Sequence, residues 1–471
     1  MITVIYFSFG MFHARASDFT VGYIPYSSLI GLKLLEEDSL EGVALLQQIS
    51  QGLVDTDRYG RLVPAIAKSW HISKNGREYT FTIRDDVFFH DGTKLSTIDI
   101  IYSFNFHLAN TRNLASHLLR DALQCKSGTE CSTRIRITGK NTIQFSLPSP
   151  YRPLLKLLTS GSKGIIPSKK SGLPYFVGTG PYKVVEKGER LFLQPHSRYK
   201  GYYYPKLKFR ILSLNDKTAG ILPSVFFSFD EPTSESKSKY IITKKFDLNT
   251  YHWIINIKKE SLNLKAKRLS VVHAIKNSIP ESYKSHSERL RNFFPRGMLG
   301  HAINQDNYQK YYVKDIDSKL LENRVLTFAS WGEHPFKETF KKNLWEKYRI
   351  RAEFEEYSPP KAIKKMGRSS ADVIFLGWAA PFNDPEAALL GIRILEIFQD
   401  RIMTLSINGR ALSNKKLRAR EYAEINKAFF SNSLFYPFVQ RSRFFYWSKS
   451  LTYPKMEFQY SIRLSDFEER G

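Results

Sequence analysis

Cys125 and Cys131 enclose five residues, Lys126 to Glu130, with Gly128 among them. That spacing is expected to close as a small Cys125–Cys131 disulfide loop in an oxidising compartment, the alternative being two unpaired thiols. Two thiolates without a nearby histidine pair do not complete a tetrahedral metal set. None of the eleven histidines makes a His-Glu-x-x-His or other i, i+4 pair, and no Gly-x-Ser-x-Gly elbow presents a serine nucleophile. Gly178-Thr179-Gly180 lacks the third glycine of a dinucleotide loop, and Pro181 removes an N–H that a phosphate cradle would use, so it reads as structural. Acids cluster at Glu36-Glu37-Asp38 and at Glu353, Glu355 and Glu356, the pattern of solvated edges, and no general acid or base can be named. The expectation is a protein that is not an enzyme, with no cofactor and no metal site.

The elements that must carry these residues read as an α/β mixture. Thr20 to Tyr26 is strand-like, and Val43 to Leu53 has helical spacing ending at Gly52. Tyr79 to Arg84 alternates with period two after the Asn75-Gly76 turn signal. Ser96 to Leu108 reads as a helix, with Ser96 or Thr97 as N-cap, Asp99 in the first turn, and Ile100, Ile101, Phe104 and Leu108 along one face. Ile135 to Ile137 and Thr142 to Leu147 read as paired strands, and Tyr182 to Val185 with Leu191 to Gln194 as a hairpin about Lys187-Gly188. Asp230 to Lys239, polar with Pro232 inside it, is the linker candidate. Beyond it, Tyr251 to Ile257, Val325 to Ala329 and Val373 to Trp378 read as strands, and Lys267 to Ile279 and Phe336 to Tyr348 as helices. No repeat of roughly 20 to 50 residues appears, which excludes a solenoid or propeller.

The 471 residues suit two to four domains of about 150 residues each, and a 42% hydrophobic, 14% aromatic composition can build substantial cores. Lys and Arg total 71 against 45 Asp and Glu, a formal charge of +26. The excess is spread along the chain, and its basic runs stop at pairs such as Lys169-Lys170, Lys244-Lys245 and Lys415-Lys416, so no nucleic-acid-binding arm is expected.

Ile2 to Phe12 is an apolar run broken by Thr3, Ser8 and Gly10, followed by Ala14-Arg15-Ala16, the small-x-small pattern that precedes a signal-peptide cut. Residues 1–16 are expected to be a signal peptide, leaving Ser17 as the mature N-terminus. The run falls short of the roughly 20 residues of a membrane-spanning helix. With no cysteine at the cut, the expectation is an exported, soluble, periplasmic protein without a lipid anchor.

Gln51 to Trp70 and Asn75 to Phe104 resemble the signature region of the family 5 extracellular solute-binding proteins, the dipeptide, oligopeptide and nickel receptors of ABC importers. The resemblance rests on Pro64-Ala65 with Ala67 and Trp70, the strand end Ile83-Arg84, Phe89-His90-Asp91-Gly92, and the Asp99 helix with Tyr102-Ser103-Phe104. Val177-Gly178-Thr179-Gly180-Pro181-Tyr182 is similar to that family's central motif, and Asn256 with Arg268 to Ile279 to its second-lobe strand and helix. Ala371 to Trp378, with Asp384-Pro385 behind, continues it, and the whole spans roughly residues 40 to 440.

This resemblance implies an α/β, two-lobed periplasmic binding protein fold (type II, cluster C-like) with an extra peripheral domain inserted in the first lobe. Residues 17–40, 171–235 and 431–471 would form the lobe 1 core, 41–170 the insertion and 240–430 lobe 2. The implied function is capture of a peptide-like or other small solute between the lobes by a monomer that delivers it to an inner-membrane ABC permease. The alternative is a transport-inactive receptor-like fold serving as a sensory or interaction module. By carry-over the ligand-binding candidates are Tyr26, Trp378, Ala379, Phe382 and Asn383. Peptide-binding members read Trp-x-Ala-Asp after the tryptophan, and that Asp pairs with the peptide α-amine; here Pro381 stands in its place. A free α-ammonium is therefore not expected in the ligand unless Glu36, Glu37 or Asp384 restores the pairing.

Overall fold

The computed structural model describes residues 19–23, 29–32, 35, 40–57, 59–109, 114–125, 128–159, 163–169, 172–201, 204–212, 214–218, 223–228, 231–281, 283, 288–301, 311, 318–331, 334, 336–357, 370–380, 382–394, 400–453 and 463–470. The expected signal peptide lies outside these residues, as do Tyr26, Glu36, Glu37 and Pro381.

The chain opens with β1 (Phe19–Tyr23) and α1 (Leu40–Ile49), then runs through the short pair β2 (Val54–Thr56) and β3 (Leu62–Pro64). β4 (Ala67–Ile72) and β5 (Glu78–Ile83) follow, then α2 (Thr97–Ala109), α3 (Leu114–Leu123) and α4 (Gly128–Ser132). With β6 (Ile135–Gly139) and β7 (Thr142–Ser146) they complete a separate four-stranded sheet, ordered β4-β5-β7-β6. Alternation in β5 buries Tyr79, Phe81 and Ile83 on one face, as period two requires. Cys125 and Cys131 are disulfide-bonded, their Cα atoms 5.3 Å apart.

After α5 (Leu154–Leu157) come the hairpin β8 (Tyr182–Lys187) and β9 (Arg190–Pro195), β10 (Phe209–Leu212), α6 (Leu214–Thr218) and β11 (Val225–Ser228). The linker candidate contains a short exposed helix, α7 (Ser234–Lys239). The Thr233 hydroxyl accepts the Ser236 N–H at 3.1 Å and Lys239 reaches back to Glu235 at 2.7 Å, so capping and an i, i+4 pair order a segment that buries nothing. The strand expected at Tyr251 begins eleven residues earlier, as the sixteen-residue β12 (Tyr240–Ile255). Then follow α8 (Lys265–Ser278), β13 (Glu288–Arg289), β14 (Val325–Trp331), α9 (Lys337–Tyr348), β15 (Arg351–Tyr357) and β16 (Val373–Ala379). Three helices, α10 (Pro385–Ile394), α11 (Asp400–Ala411) and α12 (Lys415–Ser431), lead to β17 (Phe435–Ser448).

One sheet path runs β15-β14-β16-β12-β17-β11-β1-β10-β9-β8. β12 and β17 are its centre, antiparallel from Tyr240↔Ser448 to Ile254↔Phe435. The far half of β12 pairs with β16, whereas the far half of β17 pairs with β11, so these two strands link the two halves of the sheet. Between Phe246↔Ser442 and Thr250↔Gln440, β12 advances four residues while β17 advances two, a bulge at the crossover. One hydrophobic cluster joins Phe19, Val21, Leu45, Leu46, Ile49, Leu193, Phe209 and Trp447; the other runs from Leu53 to Val439.

The conspicuous motifs hold turns in place. The Gly178 N–H donates to His90 Nδ1 at 3.2 Å, which leaves the ring proton on Nε2 to donate to the Gly180 carbonyl at 3.1 Å. Gly178 and Gly180 pass so close to the end of α1 that an added Cβ would lie 2.1 Å from the Ile49 oxygen or 2.4 Å from its carbonyl carbon. Asp99 accepts the Ser96 N–H and hydroxyl on one oxygen and those of Ser168 on the other, all between 2.6 and 2.8 Å. Burial works against its charge, but these bonds outweigh it and hold the carboxyl below the usual range.

Candidate functional site

The ligand-binding candidates cluster where β16 ends. Trp378 and Ala379 occupy its last two positions, in register with Thr250 and Asn249 of β12, at the end of the bulge. The pairing continues one step beyond the strand, where the Ala380 N–H donates to the Leu248 carbonyl at 3.3 Å. Phe382, 8% exposed, lies in the larger hydrophobic cluster. Asn383 donates Nδ2–H to the Gly297 carbonyl at 3.3 Å, and its own carbonyl accepts from Lys156 Nζ at 2.8 Å. The buried Oδ1 of Asn383 has no hydrogen-bond partner among the described residues, nor has Oδ1 of Asn249. Two amide oxygens without donors are the chemistry of a site that receives N–H or O–H groups.

Behind this loop lies a buried network of charge. Asp384, 1% exposed, takes both arms of Arg418, NH1 to Oδ2 at 2.8 Å and NH2 to Oδ1 at 2.7 Å, and Oδ1 also accepts the Glu386 N–H at 3.2 Å. Glu386 accepts from the Tyr422 hydroxyl at 2.7 Å, from the Ser406 hydroxyl at 2.9 Å, and from Arg393. Arg393 NH1 and Arg410 NH1 both donate to Oδ2 of Asp121, on α3, at 2.6 and 2.9 Å. Lys156 adds a longer contact to Asp384 at 3.9 Å. Burial opposes the charges of Arg393 and Arg418, yet their carboxylate partners hold both guanidinium pKa values above the ordinary range. Burial first, and then the same carboxylates, push the Tyr151 and Tyr422 hydroxyls well above theirs, so both stay protonated.

Both oxygens of Asp384 are therefore engaged, and the carboxylate is closed to solvent. Among the described residues no group of three or more His, Cys, Asp or Glu could hold a metal ion, and no helix is long and apolar enough to cross a membrane.

The model of the bacterial extracellular solute-binding proteins, family 5, matches residues 61–393. The chain belongs to this family. Its relatives include the dipeptide-binding protein of Escherichia coli, 21% identical over 69% of each chain. The periplasmic murein peptide-binding protein of the same organism is 20% identical over 74% of this chain and 73% of its own. Among solved structures, the fold is similar to a periplasmic binding protein of Helicobacter pylori in complex with the peptide STSA. That likeness has a TM-score of 0.70 at 19% identity, covering 94% of this chain and 99% of the other. A binding protein of A. tumefaciens in complex with agropinic acid gives 0.72 at 17%, covering 94% and 97%. The fold expected from the sequence, a two-lobed periplasmic binding protein fold, is the observed one.

Within this solute-binding protein the structure brings Trp378, Ala379, Phe382 and Asn383 onto one strand end and its loop, while Tyr26 lies outside the described residues. Sequence reasoning missed Asn249, because nothing in the run Asp247-Leu248-Asn249 marks a bulge. It also missed Arg418, whose pairing with Asp384 spans 34 residues.

Proposed function

We propose that this protein captures a small solute without a free α-ammonium between its two lobes and passes it to an ABC permease, acting as a carrier without catalysis. The observation that carries the ligand class is the double loss of the amine-pairing acid: position 381 is proline, and Asp384 is sealed by Arg418. Burying an ammonium without a partner costs several kcal/mol, so a ligand with a free N-terminus is penalised. The unpartnered Oδ1 atoms of Asn249 and Asn383 favour neutral N–H donors, which an N-blocked peptide supplies along its backbone. Trp378, Phe382 and Tyr26 would form an aromatic wall against such a ligand.

The division into lobes is part of the same reading. The β8–β11 half of the sheet with β1 is the lobe 1 core, and α1 goes with it, since Leu45, Leu46 and Ile49 lie in that cluster. The four-stranded sheet and α2–α5 form the insertion, and α8 to α12 with β14–β16 form lobe 2. Residues 1–16 direct export to the periplasm, where Cys125 and Cys131 oxidise. Calorimetry with tri- to pentapeptides, free and N-acetylated, tests the ligand class. The expected outcome is tighter binding of acetylated forms; micromolar binding that vanishes on acetylation would overturn it.

A further inference from the structure

A polar cavity of about 20 Å³ lies beside the end of α1, and none of its lining residues is a solute-binding candidate. Stretches far apart in sequence enclose it: Gln51 and Asp55 beyond α1, Tyr199 beyond β9, and Arg463 with Ser465 near the C-terminus. The last of these is already tied to the first. The Leu464 N–H donates to Gln48 Oε1 at 2.9 Å, and Arg463 holds both oxygens of Asp55 at 2.8 Å.

The wall of the cavity is not satisfied by protein groups alone. Gln51, 6% exposed, donates Nε2–H to the Lys200 carbonyl at 3.4 Å, while its buried Oε1 has no hydrogen-bond partner among the described residues. A buried oxygen left in that state loses its hydration without replacement. The hydroxyls of Tyr199 and Ser465, both buried residues, make no hydrogen bond to any described residue either. Burial first, and then the charge of Asp55, push the Tyr199 hydroxyl above its ordinary range, so it stays a donor. An acceptor and a donor, each without a protein partner, therefore line the same small space.

Charge and size select the occupant. Asp55 and Arg463 neutralise each other in the wall, so neither an anion nor a cation finds a counter-charge there. A neutral molecule must give a hydrogen to Gln51 and take one from Tyr199, which an O–H group does. The volume suits a single water, which needs roughly 10 to 15 Å³ by the same measure. We propose that this cavity binds one ordered water molecule, which joins Gln51, Tyr199 and Ser465 and adds a further tie between the C-terminal stretch and the end of α1.

The test combines a high-resolution crystal structure of the full mature chain with thermal melting of Tyr199→Phe, Ser465→Ala and the double variant. One compact density peak is expected, within about 3.2 Å of Gln51 Oε1 and of the Tyr199 hydroxyl. Each substitution removes only an oxygen that no described protein group engages, so in a dry cavity it would leave the melting temperature unchanged or raise it. With the water in place, Tyr199→Phe should lower it by about 1 to 3 °C. The double variant should lose less than the sum of the two, since both hydroxyls hold the same molecule. A cavity without density, elongated density of an organic solute, or a melting temperature that Tyr199→Phe leaves unchanged or raises would each overturn the proposal.

Discussion

Oδ2 of Asp121 receives Arg393 and Arg410 together, at 2.6 and 2.9 Å, so a single carboxylate on α3 fastens that helix to α10 and α11. Both guanidinium groups are nearly closed to solvent, and among the described residues Arg393 has Glu386 as a second carboxylate partner while Arg410 has Asp121 alone. Removing the shared acid leaves a buried charge undercompensated, a loss of about 2 to 4 kcal/mol. Asp121→Asn should lower the urea midpoint accordingly. In a double-mutant cycle with Arg410→Met the coupling should exceed about 1 kcal/mol, and additive effects would show that the contact carries no energy.

Gly178 should tolerate no side chain. Its added Cβ would meet the Ile49 carbonyl oxygen at 2.1 Å, and backbone cannot step aside as a flexible side chain can. Gly178→Ala is expected to cost about 3 kcal/mol or more, seen as loss of soluble protein or a large fall in melting temperature. Gly172→Ala, with nothing within 4 Å of the new Cβ, is the control and should change stability by less than about 0.5 kcal/mol.

Acid should unfold the protein through its histidines. Burial holds His90, His107 and His252 down to about 3 and His334 to about 4, against about 6.5 in an unfolded chain. Between those values the unfolded chain binds protons that the folded one refuses. Stability is therefore full above pH about 6.5 and falls as pH drops toward the folded values, by up to about 1.4 kcal/mol per pH unit for each histidine. His334 packs among Trp253, Phe336, Phe354 and Phe375, so His334→Phe keeps the packing. Urea titrations at pH 5 and pH 7 should show a shallower pH slope in that variant, and an unchanged slope would contradict the assignment.

The Cys125–Cys131 bridge closes a short loop, sequence separation 6, so its effect on the unfolded chain is small, about 2 kcal/mol. The double variant Cys125→Ala, Cys131→Ala should lose that much. Protein isolated from the periplasm without reductant should show no alkylatable thiol, and two reactive thiols would count against the exported state.

Much of this fold was legible because local signals and tertiary demands agree. The alternation at Tyr79 to Arg84, the Ser96–Asp99 cap and the Gly188 hairpin, at φ 59°, each formed within a residue or two of its expected bounds. What stayed hidden depends on contacts distant in sequence. The first half of β12, with Lys244 and Lys245 in it, has no apolar alternation to read and is a strand because β17 pairs with it. At the site, Asp384 reads from sequence as a spare acid, and its pairing with Arg418, 34 residues on, has no local signal. The Asn249 bulge has no sequence signature, since a register shift belongs to two strands at once.

The central claim, that the cleft takes a solute without a free α-ammonium, is tested most directly by native mass spectrometry of protein released from cells without denaturation. The expected result is a non-covalent small molecule, lost in Trp378→Ala and Asn383→Ala variants that still fold, whose fragments show no free α-amine. A bound peptide with an unblocked N-terminus, held at full occupancy, would contradict it.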